Sequence, residues 1–129
     1  MKFGYTIIYV PNLDETLAFY EKAFNLKTKF LAESKLYAEL DTGSSTTFAF
    51  CMENHIENQG IHFAQNRKHN SPAGIEVAFI TDDVNTAFKQ AVAAGAVTIK
   101  DPHQTHWGQT VAVVRDINGV LVELCSPMG

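Results

Sequence analysis

The chain has 129 residues, the size of one small domain and enough to bury a core without metal or disulfide staples. Apolar residues make up 46% and charged residues 19%, a globular balance that excludes a disordered tail. Ten basic against fourteen acidic residues leave a net charge of −4, which lacks the electrostatic footprint of a nucleic-acid partner.

No apolar run nears the roughly eighteen residues that a membrane span needs. The stretch from Met1 to Thr6 has no basic region followed by an apolar one, so a cytoplasmic chain with no membrane partner is expected. Cys51 and Cys125 form no CxxC and lie in apolar runs, which predicts buried, reduced thiols.

In chain order, Phe3–Val10 reads as a strand from its β-branched and aromatic residues. Asn12 and Glu15 then form a capping box. Leu13, Leu17, Tyr20 and Phe24 recur at helical spacing, predicting an amphipathic helix to Asn25. Strands are expected at Lys27–Glu33, Leu36–Asp41 and Thr46–Met52. The segment Glu53–Ala73 is polar and carries His55, His62 and His69, which are expected to face solvent from a long loop of the lid or binding type.

After Pro72-Ala73-Gly74 the programme restarts: a strand at Ile75–Thr81, a cap at Asp83, a helical stripe of Val84, Ala87, Phe88 and Ala91, and Gly95 as the stop. Strands follow at Ala96–Lys100, Thr110–Arg115 and Val120–Cys125, the last two joined by Asp116-Ile117-Asn118-Gly119, a strong hairpin signal. His103 and His106 are expected on the loop Asp101–Gly108, where HxxH is weak evidence for metal. A shift of 71 positions lays Tyr5 on Glu76, Val10 on Thr81 and Leu13 on Val84. The fold class is therefore α+β, with two tandem βαβββ modules: module 1 at about 1–53, a linker at about 54–73, and module 2 at about 74–129. Neither half can bury a core alone, so one domain is expected. A ferredoxin-like dimeric barrel would leave the repeat unexplained.

Tyr9-Val10-Pro11-Asn12-Leu13 with Ala18-Phe19-Tyr20, and Trp107-Gly108-Gln109 with Arg115-Asp116-Ile117-Asn118-Gly119 and Val122-Glu123-Leu124, resemble the vicinal oxygen chelate superfamily of glyoxalases, bleomycin-resistance proteins and extradiol dioxygenases. The resemblance covers nearly the whole chain and implies curved, cup-like mixed sheets with helices outside, and a homodimer. Metal-dependent members take one ligand from the first strand of each module and others from the last. By that resemblance the ligand positions fall at Tyr5 (where His is usual), Glu76, Glu123 and a fourth place near Ala49, which carries no donor.

Strand parity predicts that Ile75, Val77 and Phe79 pack on helices while Glu76, Ala78 and Ile80 face the cup. The same rule turns Leu121, Glu123 and Cys125, and Tyr5, Ile7 and Tyr9, toward it. A glutamate in the middle of an apolar strand is costly without a partner, which makes Glu76 and Glu123 the candidate catalytic or ligand-gripping pair. Tyr5, Tyr9, Ala49 and Trp107 are the candidate ligand contacts, and Glu76, Glu123 and Tyr5 form an oxygen-only metal set suited to a hard cation such as Mg or Mn. No cofactor is fixed by the sequence, a divalent metal being the one candidate. Phe48 and Phe50 are expected in the core, and Arg115 with Asp116 as a structural ion pair or a surface charge.

Three readings stay open: a metal-free binder of a small organic molecule, a metal-dependent lyase, isomerase or dioxygenase, and a dimeric structural or regulatory protein. No GxSxG, GxGxxG or phosphate-loop pattern adds a fourth.

Overall fold

A computed structural model describes residues 1–128. It divides into two compact units, Met1–Glu21 with Asn25–Gln65, and Lys22–Phe24 with Asn66–Gly129.

In the first unit the strands are β1 (Tyr5–Val10), β2 (Thr28–Leu31), β3 (Tyr37–Leu40) and β4 (Thr47–Met52), in the sheet order β1-β4-β3-β2. β1 runs parallel to β4, and β3 is antiparallel to both β4 and β2. Helix α1 (Leu13–Phe24) starts where Asn12 accepts a hydrogen bond from the Glu15 amide at 3.0 Å, and Thr16 Oγ1 donates to the Asn12 carbonyl at 2.7 Å. It stops at Asn25, whose φ of 58° is left-handed, a conformation Asn tolerates well. Tyr20 is fully buried, its ring 4.9 Å from Phe50 and 5.9 Å from Phe48. Those contacts fix the helix-covered face of the sheet, where Val10 also lies buried. Phe48 and Phe50 are thus core residues, as the alternation predicts.

The second unit repeats the plan with β5 (Glu76–Ile80), α3 (Val84–Ala93), β6 (Val97–Gln104), β7 (Thr110–Arg115) and β8 (Leu121–Cys125), in the order β5-β8-β7-β6. Asp83 caps α3, accepting from the Thr86 amide at 3.0 Å. Val84, Ala112 and Leu124 form the core, with Phe24, Phe79, Ala87 and Phe88 against it. The structure is α+β with two βαβββ modules, and the caps, the duplication and the strand alternation agree with the sequence.

Three local expectations are corrected. Helix α2 (Glu53–Glu57) stands where the polar segment predicts loop, because Ile56 and Glu53 bury one side of it. Strand β6 runs on to Gln104 instead of ending at Lys100. Its register shifts between Thr98 and Lys100 and again between Lys100 and His103, a stretch that contains Pro102. Such bulges break the alternation that marks a strand in sequence, and an edge strand tolerates the missing proline N–H.

Arg115 and Asp116 are the third correction, for both serve the backbone. Asp116 is fully buried and its Oδ1 accepts from the Asn118 and Val120 amides at 2.8 and 2.9 Å. Arg115 donates to the carbonyls of Gly119 at 2.9 Å, Arg67 at 3.1 Å and Asn70 at 2.7 Å, tying the linker to the β7–β8 hairpin. Among the described residues, no helix is long and apolar enough to cross a membrane.

Candidate functional site

Each sheet has one face covered by its helix and one free of it. On β8, Val122 and Leu124 are buried on the helix side, leaving Leu121, Glu123 and Cys125 on the other face. Glu123 stands opposite Ala78 of β5 and Val113 of β7. Glu76, the first residue of β5, lies on that same face and is exposed.

Glu123 is half-buried, and its carboxyl is pushed above the ordinary range. Burial is the main cause and the negative charge of Glu76 adds to it, while the Cys125 thiol and His103 pull the other way. The structure therefore places Glu76 near enough for its charge to act on Glu123. The Cys125 thiol is pushed up as well, by burial first and then by Glu123 and Glu76, and its Sγ is 3.7 Å from the Phe79 carbonyl oxygen. Both cysteines are free and buried.

His103 is the residue that sequence reasoning missed at this face. Placed on a loop by the broken alternation, it stands on β6 opposite Val111, in register with the Glu123 face. Its Nδ1 lies 2.9 Å from the Asp101 carbonyl oxygen. A carbonyl can only accept, so Nδ1 carries a proton. The signal available in the sequence was Pro102, a strand proline at a bulge.

The first sheet is built alike with different residues. Its register puts Ala49 between Ile7 and Glu39, the place Glu123 holds between Ala78 and Val113. Tyr5 opens β1 as Glu76 opens β5, and Cys51 matches Cys125. The offset is 71 for the first strand and helix, 70 for β2 against β6, and 74 for the last two strands of each module. Tyr5 is 59% exposed, whereas Ala49 is fully buried. Tyr9 is half-buried, its ring 5.0 Å from Phe63 of the linker.

Trp107, 57% exposed, belongs to the turn after β6. Its Nε1 donates to Gln109 Oε1 at 2.9 Å, and its ring meets His106 edge-on at 4.7 Å. His55, His62 and His69 are exposed, as expected of that segment. Among the described residues, no group of three or more His, Cys, Asp and Glu is arranged to hold a metal ion. Glu76 and Glu123 belong to one unit and Tyr5 to the other.

Two βαβββ modules, each a mixed four-stranded sheet with its parallel pair at one edge, mark a class of paired-module α+β proteins. The family model of the Glyoxalase/Bleomycin resistance protein/Dioxygenase superfamily matches residues 2–124, and the chain belongs to that superfamily. Among solved structures it is similar to a glyoxalase-related enzyme from Fulvimarina pelagi, with a TM-score of 0.81 and 17% identity over 98% of this chain and 88% of that one. A glyoxalase/bleomycin resistance protein/dioxygenase family enzyme from Burkholderia phytofirmans PsJN gives 0.75 and 22% identity, covering 95% and 96%. TioX from Micromonospora sp. ML1 gives 0.72 and 19%, covering 98% of each chain. No curated protein matches. At such identities these likenesses show the fold alone.

Proposed function

We propose that the chain binds a small organic molecule on the helix-free face of its second sheet, with Glu123 and Glu76 as the polar grip. The observation that carries this reading is the half-buried Glu123 in the middle of β8, its carboxyl raised by burial and by Glu76. A carboxyl in that position has lost hydration and is offered little beyond a thiol in return. A ligand bearing an ammonium, amidinium or other strong donor restores what burial removes. The raised Glu123 carboxyl can donate to a ligand oxygen when protonated and accept from a ligand nitrogen when ionised. His103, in register with Val111, is a second polar residue on the same face.

Exposed apolar side chains, among them Phe3 and Ile75 at 70% and 71%, support a homodimer as the working form.

A melting scan tests the reading. Wild type, Glu123→Gln and Glu76→Gln are heated with a panel of small organic amines, amidines and neutral polyols, and separately with Mg, Mn, Ni or Zn alone. Amines or amidines at a hundredfold excess over Kd add about 2.7 kcal/mol of stability to wild type and lose most of it in both variants. Hits that stabilise all three proteins equally overturn the site. A metal-induced rise that Glu123→Gln abolishes overturns the metal-free reading in favour of a metal-dependent enzyme.

A further inference from the structure

We propose that Asn118 is a modification site guarded by the fold: its side-chain amide cyclises onto the Gly119 nitrogen when the clasp between the β7–β8 hairpin and the linker opens, and the isoaspartate that results keeps the clasp from closing again. This inference involves no ligand and does not rest on the Glu76–Glu123 face.

The fold forces half of the reactive pair on the turn. Gly119 has a φ of +91°, and a Cβ there would stand 2.5 Å from both the Arg67 carbonyl oxygen and Arg115 Nη2. Only glycine fits, and a glycine nitrogen, with no side chain beside it, is the least hindered nucleophile that can follow an asparagine. The turn therefore carries Asn-Gly, the pair most prone to form a succinimide. In that reaction the Gly119 amide gives its proton to hydroxide, its nitrogen bonds to Asn118 Cγ, and the Cγ–Nδ2 bond breaks to release ammonia. Water then opens the ring at either carbonyl, leaving aspartate or isoaspartate.

The closed turn obstructs each of these steps. Gly119 N–H donates to the Asp116 carbonyl at 3.0 Å, so the nitrogen must leave that bond to turn toward Cγ. Asn118 is 7% exposed, which keeps hydroxide and water from its amide. Its own N–H is held at 2.8 Å by Oδ1 of the fully buried Asp116, an oxygen that also accepts from the Val120 amide. Beyond the glycine, the Gly119 carbonyl accepts from Arg115 Nε at 2.9 Å, and the same guanidinium holds the Arg67 and Asn70 carbonyls. Rotation at the Asn118–Gly119 link thus requires local opening of the clasp. Isoaspartate routes the backbone through the former side chain and lengthens it by one methylene, so the Asp116 and Arg115 bonds cannot all re-form.

Asn70-Ser71, exposed in the linker, is the internal comparison. In an unfolded chain Asn-Gly reacts faster than Asn-Ser, because the serine Cβ crowds the attacking nitrogen. The fold reverses that order.

The full chain, aged at mildly alkaline pH and mapped by peptide mass spectrometry, tests the proposal through the gain of about 1 Da at each asparagine. Labelling by an isoaspartate methyltransferase separates the two products. In native wild type, Asn118 is expected to react at least tenfold more slowly than Asn70, and in urea faster than it. Arg115→Ala raises the native Asn118 rate tenfold or more, and Arg115→Lys, which keeps the charge and loses the fork, raises it less. Should Arg115→Ala fail to fold, Arg115→Lys carries the comparison. Phe88→Leu loosens the core beneath α3 without touching the turn, and leaves the rate within threefold of wild type. Chains carrying isoaspartate are cut by trypsin after Arg67 or Lys68 several-fold faster than fresh ones. The proposal is overturned by a native Asn118 that outpaces Asn70, by an unmoved rate in the Arg115 variants, or by an equal rise in Phe88→Leu. Isoaspartyl chains cleaved at the rate of fresh protein overturn it too.

Discussion

Glu123 and Ala49 occupy the same place in two copies of one module, and the difference between them is a half-buried carboxyl. Because the native carboxyl of Glu123 holds its proton more tightly than the unfolded one, it favours the folded state at low pH. That contribution is complete below the ordinary carboxylate range and is lost as the pH rises through the native value. Glutamine keeps the shape and has no charge to desolvate. Glu123→Gln is therefore expected to melt about 1–3 °C above wild type at pH 7 and level with it near pH 4. Calorimetry between those values checks this, and a gain that does not grow with pH would contradict the electrostatic account.

At the scale of the element, the β7–β8 hairpin and the linker hold each other. A Cβ on Gly119, where φ is +91°, would come within 2.5 Å of both the Arg67 carbonyl oxygen and Arg115 Nη2. Gly119→Ala meets strained backbone and a collision together, and is expected to cost about 2 kcal/mol or more. Denaturant melts should show a lower midpoint at an unchanged slope.

Arg115→Ala removes three charge-assisted bonds to backbone carbonyls without touching the core. Its main expected effect is local: trypsin cleavage after Arg67 or Lys68 rises several-fold, with a smaller loss of global stability. Unchanged cleavage would mean that other contacts hold the linker. The Asn118-Gly119 turn was readable from the residues, because positive φ at glycine is a local property. The clasp from Arg115 to Arg67 and Asn70 joins residues more than forty positions apart, and no local pattern encodes it.

For the whole molecule, the apolar surface carries the expectation of a second copy. Ile75 and Ile80 are each 71% exposed, Phe3 70% and Ile99 51%. Light scattering on a sizing column is expected to give twice the chain mass, and Ile80→Glu to shift it toward the monomer. A wild-type monomer at micromolar concentration would remove the dimer from the proposal.

Features with local causes were legible in the residues alone. Helix caps at Asn12 and Asp83, the stripes of α1 and α3, the parity of β5 and β8 and the 71-residue repeat all follow from period, capping chemistry and turn residues. Glu123 stood out in the same way, because a carboxyl is conspicuous in an apolar strand. Which side chains share a row across a sheet was a matter for the folded chain. Register is set by long-range pairing and by bulges, so His103 reached the Glu123 face through two register shifts that erase the strand's alternation. Tyr37 and Glu39 likewise gained their setting from β2 and β4, strands that their own segment does not specify. The fold is written in short periods along the chain, whereas the chemistry of its faces depends on contacts between strands distant in sequence.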